Sequence, residues 1–137
     1  MLLISPGVRR FGVLALALTV CLAFGRTSHA ANDAGPSWGA IASLDGVYGY
    51  AFNHPTRAAA ERAARAQCDR SAGRTGACAV RAYFDRSCGA FATGNYGEWG
   101  TAVAPTAAAA SQAATLQCNN HLPTQPCKPL VSVCSPR

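Results

Sequence analysis

Apolar positions fall into three patterns along the chain. A predominantly apolar run from Phe11 to Phe24 comes first. After Trp38 there are short apolar stretches separated by turn residues, and between them lie two alanine-dominated segments with interspersed polar residues. Trp38-Gly39-Ala40-Ile41-Ala42 has strand character and Asp45-Gly46 is a hairpin turn. Tyr48, Tyr50 and Phe52 then place an aromatic at every second position of a returning strand. Pro55-Thr56 precedes a run of good helix formers, with the threonine able to accept a hydrogen bond from the first free amides. The pattern predicts a helix from about Arg57 to Cys68, a turn carrying Ser71, Gly73 and Gly76, and a third strand from Cys78 to Phe84. It then predicts the same order again: a strand at Cys88, a turn at Gly94-Asn95, a returning strand near Trp99, a helix from Ala107 to Cys118, a turn with Asn119, Asn120 and Pro123, and a strand from about Leu130 to Cys134. Pro129 cannot donate to a sheet ladder, so the last strand either starts after it or lies at an edge.

The order recurs because the sequence does. Shifting the chain by 50 residues lays Pro55-Thr56 on Pro105-Thr106, Gln67-Cys68 on Gln117-Cys118 and Trp38-Gly39-Ala40 on Cys88-Gly89-Ala90. Tyr48-Gly49 falls near Trp99-Gly100, one residue out of step. The reading is an α+β fold: two pseudo-symmetric ββαβ repeats, 38–86 and 87–134, sharing one mainly antiparallel sheet with two helices on one face. Alanine-rich helices bury little area per residue but let the backbone approach a sheet closely.

Composition adds a compartment. Arg9 and Arg10 precede the 14-residue apolar run, and Ser28-His29-Ala30 follows it, which is the plan of a secretory signal peptide over 1–30. The run is short for a membrane span, which needs ~20 residues. Residues 31–37 read as a short flexible N-terminal segment before the single duplicated domain, 38–134. Cleavage after Ala30 removes Arg9, Arg10 and Arg26 but none of the six carboxylates, so the formal charge falls from +6 to +3. It also leaves six of the seven cysteines, an even number in an oxidising setting. With no C-x-x-C, neither a thioredoxin-like pair nor a paired-cysteine zinc site has its spacing.

Six cysteines can pair in 15 ways, and the repeat selects among them. Cys68 and Cys78 bracket the helix-to-strand turn of the first unit, and Cys118 and Cys127 bracket that of the second. Cys88 and Cys134 remain; the shift maps them onto Trp38 and Phe84, so a Trp38–Phe84 packing pair in unit one would make Cys88 and Cys134 neighbours in unit two. Small domains with little apolar area commonly need such cross-links.

Trp38-Gly39-Ala40-Ile41-Ala42, Pro55-Thr56-Arg57-Ala58-Ala59-Ala60-Glu61, Gln67-Cys68 and Cys88-Gly89-Ala90 resemble the small bacterial secreted proteins grouped as domain of unknown function 4189. The likeness spans Trp38 to Cys134 and implies the same signal peptide, duplication and paired cysteines. It brings no functional residues with it. The chain departs from the family pattern in the longer interval between Cys68 and Cys78 and in the ending Val131-Ser132-Val133-Cys134, which lacks a tryptophan.

No constellation names a reaction. His54 and His121 are isolated loop histidines, and no G-x-S-x-G turn, metal-ligand spacing or dinucleotide fingerprint occurs, so no cofactor or metal is indicated. The aromatics of the first hairpin are expected to face the core in part. What stands out is charge: Arg57, Arg62, Arg65, Arg70, Arg74, Arg81 and Arg86 crowd one unit, while only Lys128 and Arg137 lie in the other. Arg57, Glu61 and Arg65 follow at helical i, i+4 steps, the pattern of a solvated, ion-paired helix side. The functional counterpart is a secreted, non-catalytic interaction module whose face of Arg57, Arg62 and Arg65 attracts an anionic partner: an acidic protein, a glycan or a lipid headgroup. Nucleic acid is disfavoured, because the aromatics are not interleaved with the basic residues. The alternative is a small secreted hydrolase of cell-wall or host polymers using two of Asp45, Asp85 and Glu98.

Overall fold

A computed structural model describes residues 35–121 and 126–136. The segment 1–30 that the sequence predicts as a signal peptide, the start of the N-terminal segment and Pro123 lie outside the described residues. In chain order the elements are β1 (Trp38–Leu44), β2 (Val47–His54), α1 (Arg57–Ala72), β3 (Ala79–Asp85), β4 (Cys88–Thr93), β5 (Trp99–Ala104), α2 (Ala107–Asn119) and β6 (Lys128–Cys134). The fold is α+β, built from two similar ββαβ units.

Both helices start as the Pro-Thr pairs predict. Thr56 Oγ1 accepts from the Ala59 amide at 3.2 Å, and Thr106 Oγ1 from that of Ala109 at 3.2 Å. Helix α1 continues one turn beyond Cys68, taking in Ser71, which the sequence places in the turn. It stops at Gly73, whose φ of 64° is the left-handed conformation that favours glycine at a helix end. The chain spends that extra turn inside the Cys68–Cys78 interval.

The sheet departs from expectation. Instead of one shared sheet there are two three-stranded antiparallel sheets, β2-β1-β3 and β5-β4-β6. Nor do the helices share a face, because each central strand is buried on both sides. In β1, Ala40 and Ala42 pack with Ala60, Ala64 and Cys68 of α1, whereas Ile41 turns the other way. In β4, Ala90 and Ala92 pack with Ala110, Ala114 and Cys118 of α2. Ile41, Phe84 and Phe91 meet between the sheets, flanked by Tyr48, Tyr50, Trp99, Val131 and Val133. The layers therefore run helix, sheet, sheet, helix. Large side chains fill the middle, and the small residues let each helix sit close to its sheet. Gly49 and Gly100 mark the closest approach: a Cβ on either would fall 2.3 Å from a helix carbonyl, that of Ala64 or Ala114.

The sheet edges are joined across the two units. The Tyr48 hydroxyl donates to the Leu130 carbonyl at 3.3 Å, Asn53 N–H to Ser135 Oγ at 3.3 Å, and Thr101 Oγ1 to the Arg81 carbonyl at 3.4 Å. Strand β6 is an edge strand that contains Pro129, and the ladder shifts register at that point. Ser37, the last residue of the segment 31–37, is buried, and its amide donates to Asp85 Oδ1 at 2.9 Å.

Disulfides join Cys68 to Cys78, Cys118 to Cys127 and Cys88 to Cys134. The Trp38–Phe84 pairing inferred for unit one does not occur. Trp38 lies opposite Asp85, just as Cys88 lies opposite Cys134. The Cys68–Cys78 separation is 10 and that of Cys118–Cys127 is 9, so the repeat offset drops by one before the last strand. Trp38 instead meets Tyr83, with ring centroids 6.4 Å apart.

Candidate functional site

Helix α1 lies over β1 and β2, which leaves the outer face of edge strand β3 uncovered. The resulting groove of about 490 Å³ is lined by Arg57, Glu61 and Arg65 on the helix and by Ala79, Arg81 and Tyr83 on the strand. Because Tyr83 pairs with Ala40, its side chain stands on the helix side of the sheet.

The Arg57 guanidinium lies 3.3 Å from the Tyr83 ring centroid, and its Nε donates to Glu61 Oε1 at 2.7 Å. The hydrogen bond from Arg57 to Glu61 is the main cause of an Arg57 pKa raised above its already high ordinary value. Stacking and the Nε bond fix the plane of the guanidinium. Arg65 has no ion pair among the described residues. Asp69, one turn further on, is occupied elsewhere: its carboxylate accepts from the amides of Gly76 at 2.7 Å, Cys78 at 2.9 Å and Ala77 at 3.1 Å. Those bonds, those from Cys78 and Gly76 foremost, hold the Asp69 pKa below the usual carboxylate range.

The structure sorts the arginines that the sequence groups together. Arg57 and Arg65 share the groove. Arg62, five positions after Arg57, is exposed and does not line it. Arg81 reaches the groove wall, but its side chain is diverted by a β3 irregularity opposite Ile41 and Ala42. Its Nε donates to buried Ser43 Oγ at 3.1 Å, and its guanidinium lies 4.6 Å from the Trp99 ring centroid. Sequence reasoning missed Tyr83; the alternation of β3, with Phe84 turned to the core, is the signal that would have found it.

The acids proposed for hydrolysis are dispersed. Asp45 sits at the β1–β2 turn and Asp85 beside Trp38 at the other end of β1, a strand length of ~20 Å, which exceeds the separation of a glycosidase pair. Asp85 accepts from Ser37 and pairs with Arg86 at 3.3 Å. Glu98 is buried in its own turn, where one oxygen accepts from the Tyr96 amide at 2.8 Å. His54 ends β2 opposite Trp38, and His121 is exposed after α2. Among the described residues no cluster of three metal-ligating side chains occurs, and no helix is long and apolar enough to cross a membrane.

Unit two carries different residues at the equivalent positions. Ala107, Ser111 and Thr115 replace Arg57, Glu61 and Arg65. Ser132, opposite Ala90, replaces Tyr83. A cavity of about 350 Å³ overlaps these positions at Ser111, Thr115 and Pro129 and extends to Gln112, Leu116 and Asn119, with Leu116 64% exposed.

The model of the family described as domain of unknown function (DUF4189) matches residues 38–134. The solved structure titled "NMR structure of Rv1813c from Mycobacterium tuberculosis" is similar at 29% sequence identity with a TM-score of 0.51, over 72% of this chain and 74% of that one. No curated protein matches.

Proposed function

For a chain that belongs to the DUF4189 family, we propose a non-catalytic binding role outside the cytoplasm, with an anionic ligand held in the groove between α1 and β3. One observation carries the reading: two units of the same fold differ along the groove, where unit one gathers Arg57, Arg65 and Arg81 and unit two has a single cation, Lys128 in place of Ala79. Arg57, Glu61, Arg65 and Tyr83 stand where unit two has Ala107, Ser111, Thr115 and Ser132. A helix side that was merely solvated would not need the aromatic floor under Arg57. Three disulfides suit an oxidising compartment, which supports secretion or retention in the cell envelope. The hydrolase alternative loses its support because Asp45 and Asp85 lie apart and Glu98 is engaged by its own turn.

The test is capture on beads of partners from envelope and culture extracts by the oxidised chain from Ala31 to Arg137, at low and raised salt. It is run beside the variant Arg57→Glu, Arg65→Glu. A partner lost to both salt and charge reversal supports the groove. Capture that is indifferent to both would overturn it, and release of soluble fragments from peptidoglycan would reinstate the hydrolase.

A further inference from the structure

Each sheet edge has an outward main-chain group that a side chain occupies. The edge strands are β2, β3, β5 and β6. On β3 the Arg81 carbonyl accepts from Thr101 Oγ1, and on β6 the Leu130 carbonyl accepts from the Tyr48 hydroxyl. On β2 the Tyr50 amide donates to Gln67 Oε1 at 3.0 Å, and on β5 the Thr101 amide donates to Gln117 Oε1 at 2.7 Å. These are the glutamines of the repeated Gln-Cys pairs, and the reason for their place is local. A Cβ on Gly49 would lie 2.3 Å from Cys68 N, and one on Gly100 2.5 Å from Cys118 N. Each strand thus touches its helix at the cysteine, which brings the next strand residue within reach of the glutamine before it. We propose that Gln117 is an autoinhibitory contact: it occupies the donor at which a further strand would dock, and so keeps β5 from pairing with the β5 of a second copy.

The four edges are not equally protected. An edge strand offers N–H and C=O groups to any other strand, and folded chains blunt it with charge, proline or bulges. Strand β3 carries Arg81, Asp85 and a register shift, and β6 carries Lys128, Pro129 and a register shift. The ladder of β2 is irregular between Trp38 and Ala40, and Asn53 has a φ of 58°. Strand β5, Trp99-Gly100-Thr101-Ala102-Val103-Ala104, has no charge and no proline, keeps an unbroken register with β4, and leaves Val103 49% exposed. Gln117 supplies the protection that this strand's own sequence lacks. A second copy fits the edge because the same residues can serve both sides and no like charges meet. In an antiparallel β5–β5 pair centred on Thr101, the copies would exchange Thr101 N–H and C=O across a two-fold axis, with Trp99 opposite Val103.

The experiment compares the association state of the oxidised chain from Ala31 to Arg137 with that of Gln117→Ala, by sedimentation across a range of protein concentrations, with far-UV circular dichroism to follow the fold. The parent should stay monomeric. Gln117→Ala should dimerise ~tenfold or more tightly than the parent, since pairing no longer breaks a glutamine bond in each copy. Gln117→Met keeps the length of the side chain without its acceptor and should associate in the same way. Thr101→Pro removes the outward N–H, which takes no part in the ladder to β4. Adding it to Gln117→Ala should therefore restore the monomer, which association driven by partial unfolding would not do. Gln117→Ala and Gln117→Met chains as monomeric as the parent would overturn the inhibitory role, and so would a parent dimer that Thr101→Pro dissociates. Association that Thr101→Pro leaves intact would overturn β5 as the docking edge.

Discussion

Phe84 of the first unit lies against Gly89 of the second: a Cβ at Gly89 would come within 2.3 Å of the Phe84 ring, and one at Gly39 within 2.2 Å. These glycines occupy equivalent positions on β1 and β4, so a single aromatic ring from β3 fills the gap that both leave between the sheets. Gly89→Ala should therefore destabilise the fold by ~1–3 kcal/mol through overpacking, read as a lower urea midpoint. Phe84→Leu should recover part of that loss when combined with Gly89→Ala, although it is destabilising by itself. Additive effects of the two changes would show that they do not meet in solution.

The disulfides should not contribute equally. Cys88–Cys134 joins residues 46 apart, against 10 and 9 for the two local bridges. By chain entropy the long closure is worth ~4 kcal/mol and each short one ~2.7 kcal/mol. Replacing Cys88 and Cys134 by alanine should lower the unfolding midpoint more than replacing either local pair. A larger loss on removing Cys68–Cys78 would mean that native-state contacts around that loop outweigh the closure effect.

Asp69 gives the fold an acid-sensitive contact. Amides of Cys78 and Gly76 lower its pKa below the usual carboxylate value. The stabilisation is therefore present above the unfolded pKa, ~3.9, and is lost as pH falls through the lower folded value. Asn119 occupies the equivalent position and accepts from Cys127 N–H at 2.7 Å without titrating. Urea midpoints followed from pH 6 to pH 2 should fall less steeply for Asp69→Asn than for the parent protein. Parallel curves would mean that other carboxylates set the acid response.

Local structure was legible where one residue type does one job. Thr56 and Thr106 cap, Gly73 terminates, and the Gln-Cys pairs mark both helices. The two-layer sheet was less legible because the runs Gly39-Ala40-Ile41-Ala42 and Gly89-Ala90-Phe91-Ala92 have no polar alternation. An all-apolar strand of this kind is covered on both faces, and a single sheet with helices on one side could not have covered the face of Ile41 and Phe91. The groove was half legible: Arg57 and Arg65 follow from helical spacing, which should also have separated Arg62 from them. The roles of Tyr83 and Arg81 depend on strand register and on an irregularity in β3, and spacing within α1 carries no information about either.

If four residues make the groove a cation site, the same four should make one in the unit that lacks it. The variant Ala107→Arg, Ser111→Glu, Thr115→Arg, Ser132→Tyr places the unit-one set on the equivalent positions of α2 and β6. All four lie on the surface or are only partly buried, and such substitutions usually change stability by about 0.5 kcal/mol or less each. Ser132→Tyr also removes the bond from Ser132 Oγ to the Ala107 carbonyl at 3.0 Å, a loss confined to the groove rim. Titration calorimetry with whichever anionic probe the parent protein binds should then give two sites per chain instead of one. Arg57→Ala in the same background should return the count to one. A variant that folds but still binds at a single site would show that Leu116 and Pro129 shape the second groove against such ligands, so that geometry as well as charge separates the two units.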